Sequence, residues 1–125
     1  MNKITIDLRS RTPIFEQLRH NIRELALNGT LEANEQLPSV RALACELAIN
    51  PNTIQKAYAE LERDGIIYSL PARGSFVSAD LSAASDAAKK ELRTAISDTV
   101  RRAKQFGMDR REFIEMIHSE WGDDK

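Results

Sequence analysis

Between positions 50 and 56 the chain places Asn50, Asn52, Thr53, Gln55 and Lys56, and no acid. Carboxamides offer a donor beside an acceptor, the pattern that base edges present in a duplex groove, and an ammonium group matches a phosphate. The acids Glu60, Glu62 and Asp64 come later. A helix over this stretch therefore has a leading end clean of carboxylates and an acidic trailing end. Ser39 and Arg41 lie upstream, and downstream Arg73 stands beside Gly74. A guanidinium fork with so little bulk next to it suits a minor groove. These groups hold a polyanion and do not break bonds. Ser39, Ser69, Ser75, His20 and His118 form no nucleophile motif, and no glycine-rich phosphate loop is present. The lone Cys45 with two histidines cannot build a zinc cluster. No catalytic residue, cofactor or metal is expected. Cys45 is expected to be a buried or half-buried small residue, and both histidines to lie at the surface.

Those side chains need a scaffold that aims them. Thr12-Pro13 reads as N-cap and first helical position, and Ile14, Phe15, Leu18, Ile22, Leu25 and Ala26 then follow a helical period up to Gly29. Ser39 caps a second helix with Val40, Leu43, Ala44 and Leu47 on one face. Ala48-Ile49 makes a short turn. Asn50-Pro51 opens a third helix, its inward face Ile54, Ala57, Tyr58 and Leu61, ended by Asp64-Gly65. Tyr58 belongs to the core and not to a stacking platform. Residues 66–70 and 75–78 read as two strands of a hairpin around Pro71-Ala72-Arg73-Gly74. Helix, short turn, helix and hairpin is the order of a winged helix-turn-helix. A major groove about 12 Å wide admits one helix, and a second must brace it across a turn of a few residues.

All four prolines precede residue 72, whereas 79–106 is alanine-rich without Pro or Gly. This shift puts a boundary near Ser78–Asp80, dividing residues 1–79 from 80–125. The second part reads as two helices, about Ser82 to Phe106 and a second after Gly107. Asp109 with Glu112 forms a capping box, and Met108 with Phe113 a hydrophobic staple. Leu92, Ile96, Val100, Phe106, Phe113, Ile117 and Trp121 make an apolar stripe that two helices cannot bury alone. A two-fold interface between copies would cover it. The fold class expected is mainly α with a small β-hairpin.

Length and composition agree with one modest domain plus an appendage. The 125 residues are 42% hydrophobic and 30% charged, which excludes a disordered tail. Eighteen basic and 19 acidic side chains leave a net charge of −1, which excludes a grossly basic nucleic-acid wrapper. A single cysteine excludes a disulfide framework. Apolar runs fall far short of a membrane span, and the first residues, alternating polar and apolar, lack the block of a signal peptide. The cytoplasm is the expected location.

The blocks Pro13-Ile14-Phe15-x-Gln17-Leu18, Leu37-Pro38-Ser39-x-Arg41-x-Leu43-Ala44, Asn50-Pro51-Asn52-Thr53-Ile54-x-Lys56-Ala57-Tyr58, Leu61-Glu62-x-x-Gly65 and Arg73-Gly74-Ser75-Phe76-Val77 occur in this order. Over residues 11–79 the chain resembles the DNA-binding domain of GntR-type bacterial transcription regulators. Its Asn-Pro-Asn-Thr block and short extension are most similar to the YtrA subfamily. The resemblance implies a homodimer on double-stranded operator DNA, with dimerisation by the extension. It implies repression, in many members of operons for ABC transporters. It assigns DNA contact to Ser39, Arg41, Asn50, Asn52, Thr53, Gln55, Arg73 and Gly74. The chain departs from the pattern at Pro51, where many relatives carry arginine or a hydroxyl residue, and at Ala72, the usual first glycine of the wing. A small-molecule effector is left unnamed. The alternative reading is a winged-helix adaptor that binds protein and never DNA.

Overall fold

The computed structural model describes residues 3–122. Five helices and one hairpin follow each other: α1 (Ile14–Leu27), α2 (Val40–Leu47), α3 (Pro51–Arg63), β1 (Ile67–Leu70), β2 (Gly74–Val77), α4 (Ser82–Gln105) and α5 (Arg110–Trp121). The strands pair antiparallel with Ile67 opposite Val77 and Leu70 opposite Gly74. The chain divides into two compact units, Met1–Asp86 and Ala87–Lys125.

The first unit is built on one core. Leu18, Ile22, Leu43, Ile54, Leu61, Ile66, Ile67 and Val77 are fully buried, and Ala57, Tyr58 and Ala84 join them. The helical faces expected from the sequence supply most of these residues. Three devices then set the path of the chain. Ser39 Oγ accepts from Ala42 N at 3.0 Å and caps α2. Asn50 Oδ1 accepts from Asn52 N at 2.8 Å and caps α3, with Pro51 in the first turn, where its missing N–H costs nothing. Between the two helices, Ala48 N donates to Cys45 O and Ile49 N to Ala44 O. This is the Schellman pattern that closes a helix and redirects the chain within one residue. It demands a left-handed residue, and Ala48 fills that place at φ 57°, ψ 46°.

The start of α1 differs from the sequence expectation. Thr12 is not the N-cap; Pro13 is, at ψ 146°, and its carbonyl accepts from Glu16 N and Gln17 N. Gln17 Nε2 donates to the Thr12 carbonyl at 2.8 Å and holds that residue outside the helix. A residue before proline is in any case biased towards extended backbone. The segment ahead of α1 belongs to the fold. Ile4 is buried, Asn21 Nδ2 donates to Thr5 O, and Lys3 Nζ donates to Thr30 O, each at 2.7 Å.

The hairpin has a third, short neighbour. Leu37 N donates to Ser75 O, Asn34 N to Val77 O and Val77 N to Glu35 O, so residues 34–37 run along β2. At the hairpin tip Arg73 N donates to Leu70 O, with Pro71 second in the turn and Ala72 third at φ 64°. A proline then a left-handed residue is the order of a type II turn. Tyr68 and Phe76 stack across the strands with centroids 5.5 Å apart.

Asp80 Oδ1 accepts from the amide and hydroxyl of Ser82 and fastens the start of α4. Those bonds, the hydroxyl first, hold the Asp80 carboxyl below its ordinary value. Leu81 and Ala84 pack into the first core. In the second unit, Gly107 at φ 75° ends α4 by the same Schellman pattern, Met108 N reaching Ala103 O and Gly107 N reaching Lys104 O. The capping box expected at α5 does not form. Asp109 stands at the N-cap with extended backbone, but its side chain accepts no bond. Asp109 and Glu112 are both exposed, so water competes for the bonds the box would make. Leu92, Ile96, Ile117, Trp121 and Phe106 are exposed, the last at 82%; Val100 and Phe113 are half-buried.

Candidate nucleic-acid interface

The geometry of the candidate site begins with Tyr58. Its ring lies in the core of α3 and its hydroxyl donates to Pro38 O at 2.8 Å. The bond fixes α3 to the entry of α2. Burial drives the phenol's pKa far up, so the hydroxyl stays a neutral donor.

With α3 braced, its leading turns show Asn52, Gln55 and Lys56 to solvent, and Thr53 half-buried. Asn50 uses its Oδ1 as the cap and keeps its amide donors. Ser39 likewise uses an oxygen lone pair on Ala42 N and keeps its hydroxyl hydrogen. Arg41 is exposed in the first turn of α2. Lys56 does not float free: its Nζ sits 3.8 Å from the centroid of the Phe15 ring on α1. A cation over an aromatic face keeps its charge and loses wandering room.

The acids of α3 are held elsewhere. Arg19 Nη2 meets Asp64 Oδ2 at 2.9 Å and Arg19 Nε stands 3.7 Å from Glu60, while Ser69 Oγ donates to Glu62 at 2.9 Å. The trailing end of α3 is thereby tied to α1 and β1, and the leading end carries no carboxylate.

At the wing, Arg73 is exposed and its carbonyl accepts from Gln36 Nε2 at 2.8 Å. Gly74 has φ 118°, and a Cβ there would lie 2.9 Å from that same Nε2. It is the backbone at φ 118° that favours glycine here, and the end of the Gln36 side chain would have to move aside for a Cβ. Gln36 and Phe15 were not legible as site residues. Gln36 is a polar loop residue with no spacing signal, and Phe15 reads simply as part of an apolar helix face. Cys45 corrects another expectation. It is exposed on α2, because Leu43 and Ala44 take the inward positions and the next residue turns out by about 100°. His20 and His118 are exposed as expected.

The model of bacterial regulatory proteins of the gntR family matches residues 14–77, which spans α1, α2, α3 and the hairpin. The chain belongs to the gntR family. Among similar gntR-type and helix-turn-helix proteins, the HTH-type transcriptional repressor YtrA of Bacillus subtilis is 52% identical over 75 residues. That match covers 60% of this chain and 58% of the repressor, less than two thirds of its length. The HTH-type transcriptional regulator YhcF of the same organism is 32% identical over 108 residues, 86% of this chain and 89% of that one. A transcriptional regulator from Oenococcus oeni superposes with a TM-score of 0.77 at 28% identity, over 94% of this chain and 98% of its own. The winged helix-turn-helix expected from the order of elements is the fold of this gntR chain.

Proposed function

We propose that the chain is a transcriptional repressor that binds an inverted-repeat operator in double-stranded DNA as a homodimer, in the cytoplasm with the genome. The observation that carries this is the polarity of α3: its leading end offers Asn52, Gln55 and Lys56 to solvent, and its acids are engaged by Arg19 and Ser69 at the other end. In this reading α3 lies in the major groove. Asn52, Thr53 and Gln55 meet base edges; Ser39, Arg41, Asn50 and Lys56 hold phosphates or flanking bases; Arg73 and Gly74 bring the wing to the minor groove. Residues 1–79 do this work, and 80–125 dimerise through Leu92, Ile96, Val100, Phe106, Phe113, Ile117 and Trp121. The exposure of Leu92, Ile96, Phe106, Ile117 and Trp121 in the single chain supports that assignment. The resemblance of the sequence blocks to the YtrA subfamily makes a transporter operon the target to test first.

The test is a mobility shift with duplex DNA at two salt concentrations. Binding that weakens steeply with salt supports phosphate contact. A chain that shifts no duplex even at low salt contradicts it and leaves the protein adaptor.

A further inference from the structure

The turn that leads into α1 carries two arginines that the fold holds out towards the same end of the first unit as the leading turn of α3. Two contacts fix this alignment. Phe15 of α1 lies against Lys56 of α3, and Arg19 reaches Glu60 and Asp64. A step of four residues on one helix matches a step of four on the other, so α1 and α3 run in the same direction. Their N-termini therefore lie towards the same end.

The arm before α1 runs the opposite way. Lys3 bonds to Thr30 O, Thr5 O to Asn21, and Asp7 to Gln17, which retraces α1 from just past its end to its first turn. Residues 8–12 must therefore turn back at the α1 N-terminus, beside the candidate DNA-facing end. Gln17 clasps both ends of this turn. Its Oε1 accepts from Asp7 N at 2.7 Å, and its Nε2 donates to Asp7 O at 3.0 Å and Thr12 O at 2.8 Å. Within the turn, Asp7 Oδ1 accepts from Arg9 N and Ser10 Oγ from Thr12 N. One oxygen of the exposed Asp7 carboxylate is thus held by the backbone. Arg9 and Arg11 are exposed, and among the described residues no acid pairs with either. Glu16, exposed in the first turn of α1, is the remaining acid near this end.

We propose that residues 8–12 form a further DNA-contacting loop, in which Arg9 and Arg11 hold backbone phosphates beside the site occupied by α3. The inference rests on the DNA-binding reading above. Guanidinium groups on a clasped loop lose little freedom on binding and bridge phosphate oxygens in a forked geometry. The loop holds phosphate and reads no base, so its contribution is indifferent to sequence.

The test uses the full chain, a duplex selected from a random pool by the wild-type protein, and a scrambled version of that duplex. Arg9→Ala/Arg11→Ala, at two exposed positions without ion pairs, should bind both duplexes about tenfold more weakly. The slope of log affinity against log salt should fall by about two units per protomer, one for each phosphate released. The charge-reversed pair, R9E/R11E, should weaken binding further. A double variant with wild-type affinity, or with weaker binding and an unchanged slope, overturns the loop's role at phosphate while leaving DNA binding intact. A wild-type chain that binds neither duplex overturns both readings.

Discussion

Gln55 and Lys56 are neighbours on α3 with different expected roles, and substitution separates them. Gln55→Ala, like Asn52→Ala, should relax operator preference by about 1–3 kcal/mol for each base edge no longer read. The check is a comparison of affinities for the operator and for single-base variants. Lys56→Ala should weaken all duplexes alike and lower the salt slope by about one unit. It should also cost the fold about 0.5–1 kcal/mol, since Lys56 lies 3.8 Å over the Phe15 ring. Denaturant titration of the free protein reads that second effect apart from DNA. Tyr58→Phe belongs to the same scale. It removes the donor that reaches Pro38 O at 2.8 Å and should destabilise the chain by about 1 kcal/mol.

Two elements reach their geometry with alanines in the left-handed region. Ala48 closes α2 at φ 57° and Ala72 turns the hairpin at φ 64°. Glycine removes the Cβ clash there, so Ala48→Gly and Ala72→Gly should each raise stability by about 0.5–1 kcal/mol in denaturant unfolding. Gly74→Ala should do the reverse, by about 1–3 kcal/mol, because φ is 118° and the new Cβ would press on Gln36 Nε2. Nothing in the sequence marked Ala48 as strained, whereas Ala72 stands at the usual first glycine of the wing, and its φ of 64° is the strain that departure carries. Periodicity placed the helices, since Ile54, Ala57, Tyr58 and Leu61 mark an inward face by spacing alone, and Asn50-Pro51 marks a start. A turn's handedness depends on where the next element must dock, and a short Ala-Ile link carries no sign of it. The same limit hid the pairing of residues 34–37 with β2 and the arm that retraces α1. Both rest on backbone bonds and on carboxamides such as Gln17, whose partner Asp7 lies ten residues away. The leading turn of α3 was legible because its chemistry is local: which residues are present and which are acids. Gln36, which reaches Arg73 across 37 positions, was not.

At the scale of the molecule, Leu81 and Ala84 pack on the core of the first unit, which runs to Asp86. A chain ending at Asp86 should therefore fold, remain monomeric in light scattering and bind DNA much more weakly than the full chain. In the full chain, Leu92 at 60% and Trp121 at 77% exposure leave apolar surface that a two-fold interface would cover. Each such side chain buried adds roughly 1.5–3 kcal/mol. Two joined copies present two α3 helices, and an inverted repeat with half-sites about 34–36 Å apart places both on one face of the duplex. The wing then meets sequence between or beside the half-sites. Arg73→Ala should lose affinity where A·T pairs narrow the minor groove and change little on G·C-rich variants, as footprinting on both would record. The most direct measurement of the whole account is the affinity of the full chain for duplex DNA between about 50 and 200 mM salt. A dimer that neutralises roughly six to ten phosphates predicts a fall of about a thousandfold or more across that range. An affinity that stays flat with salt, or no binding at the lower concentration, would contradict it.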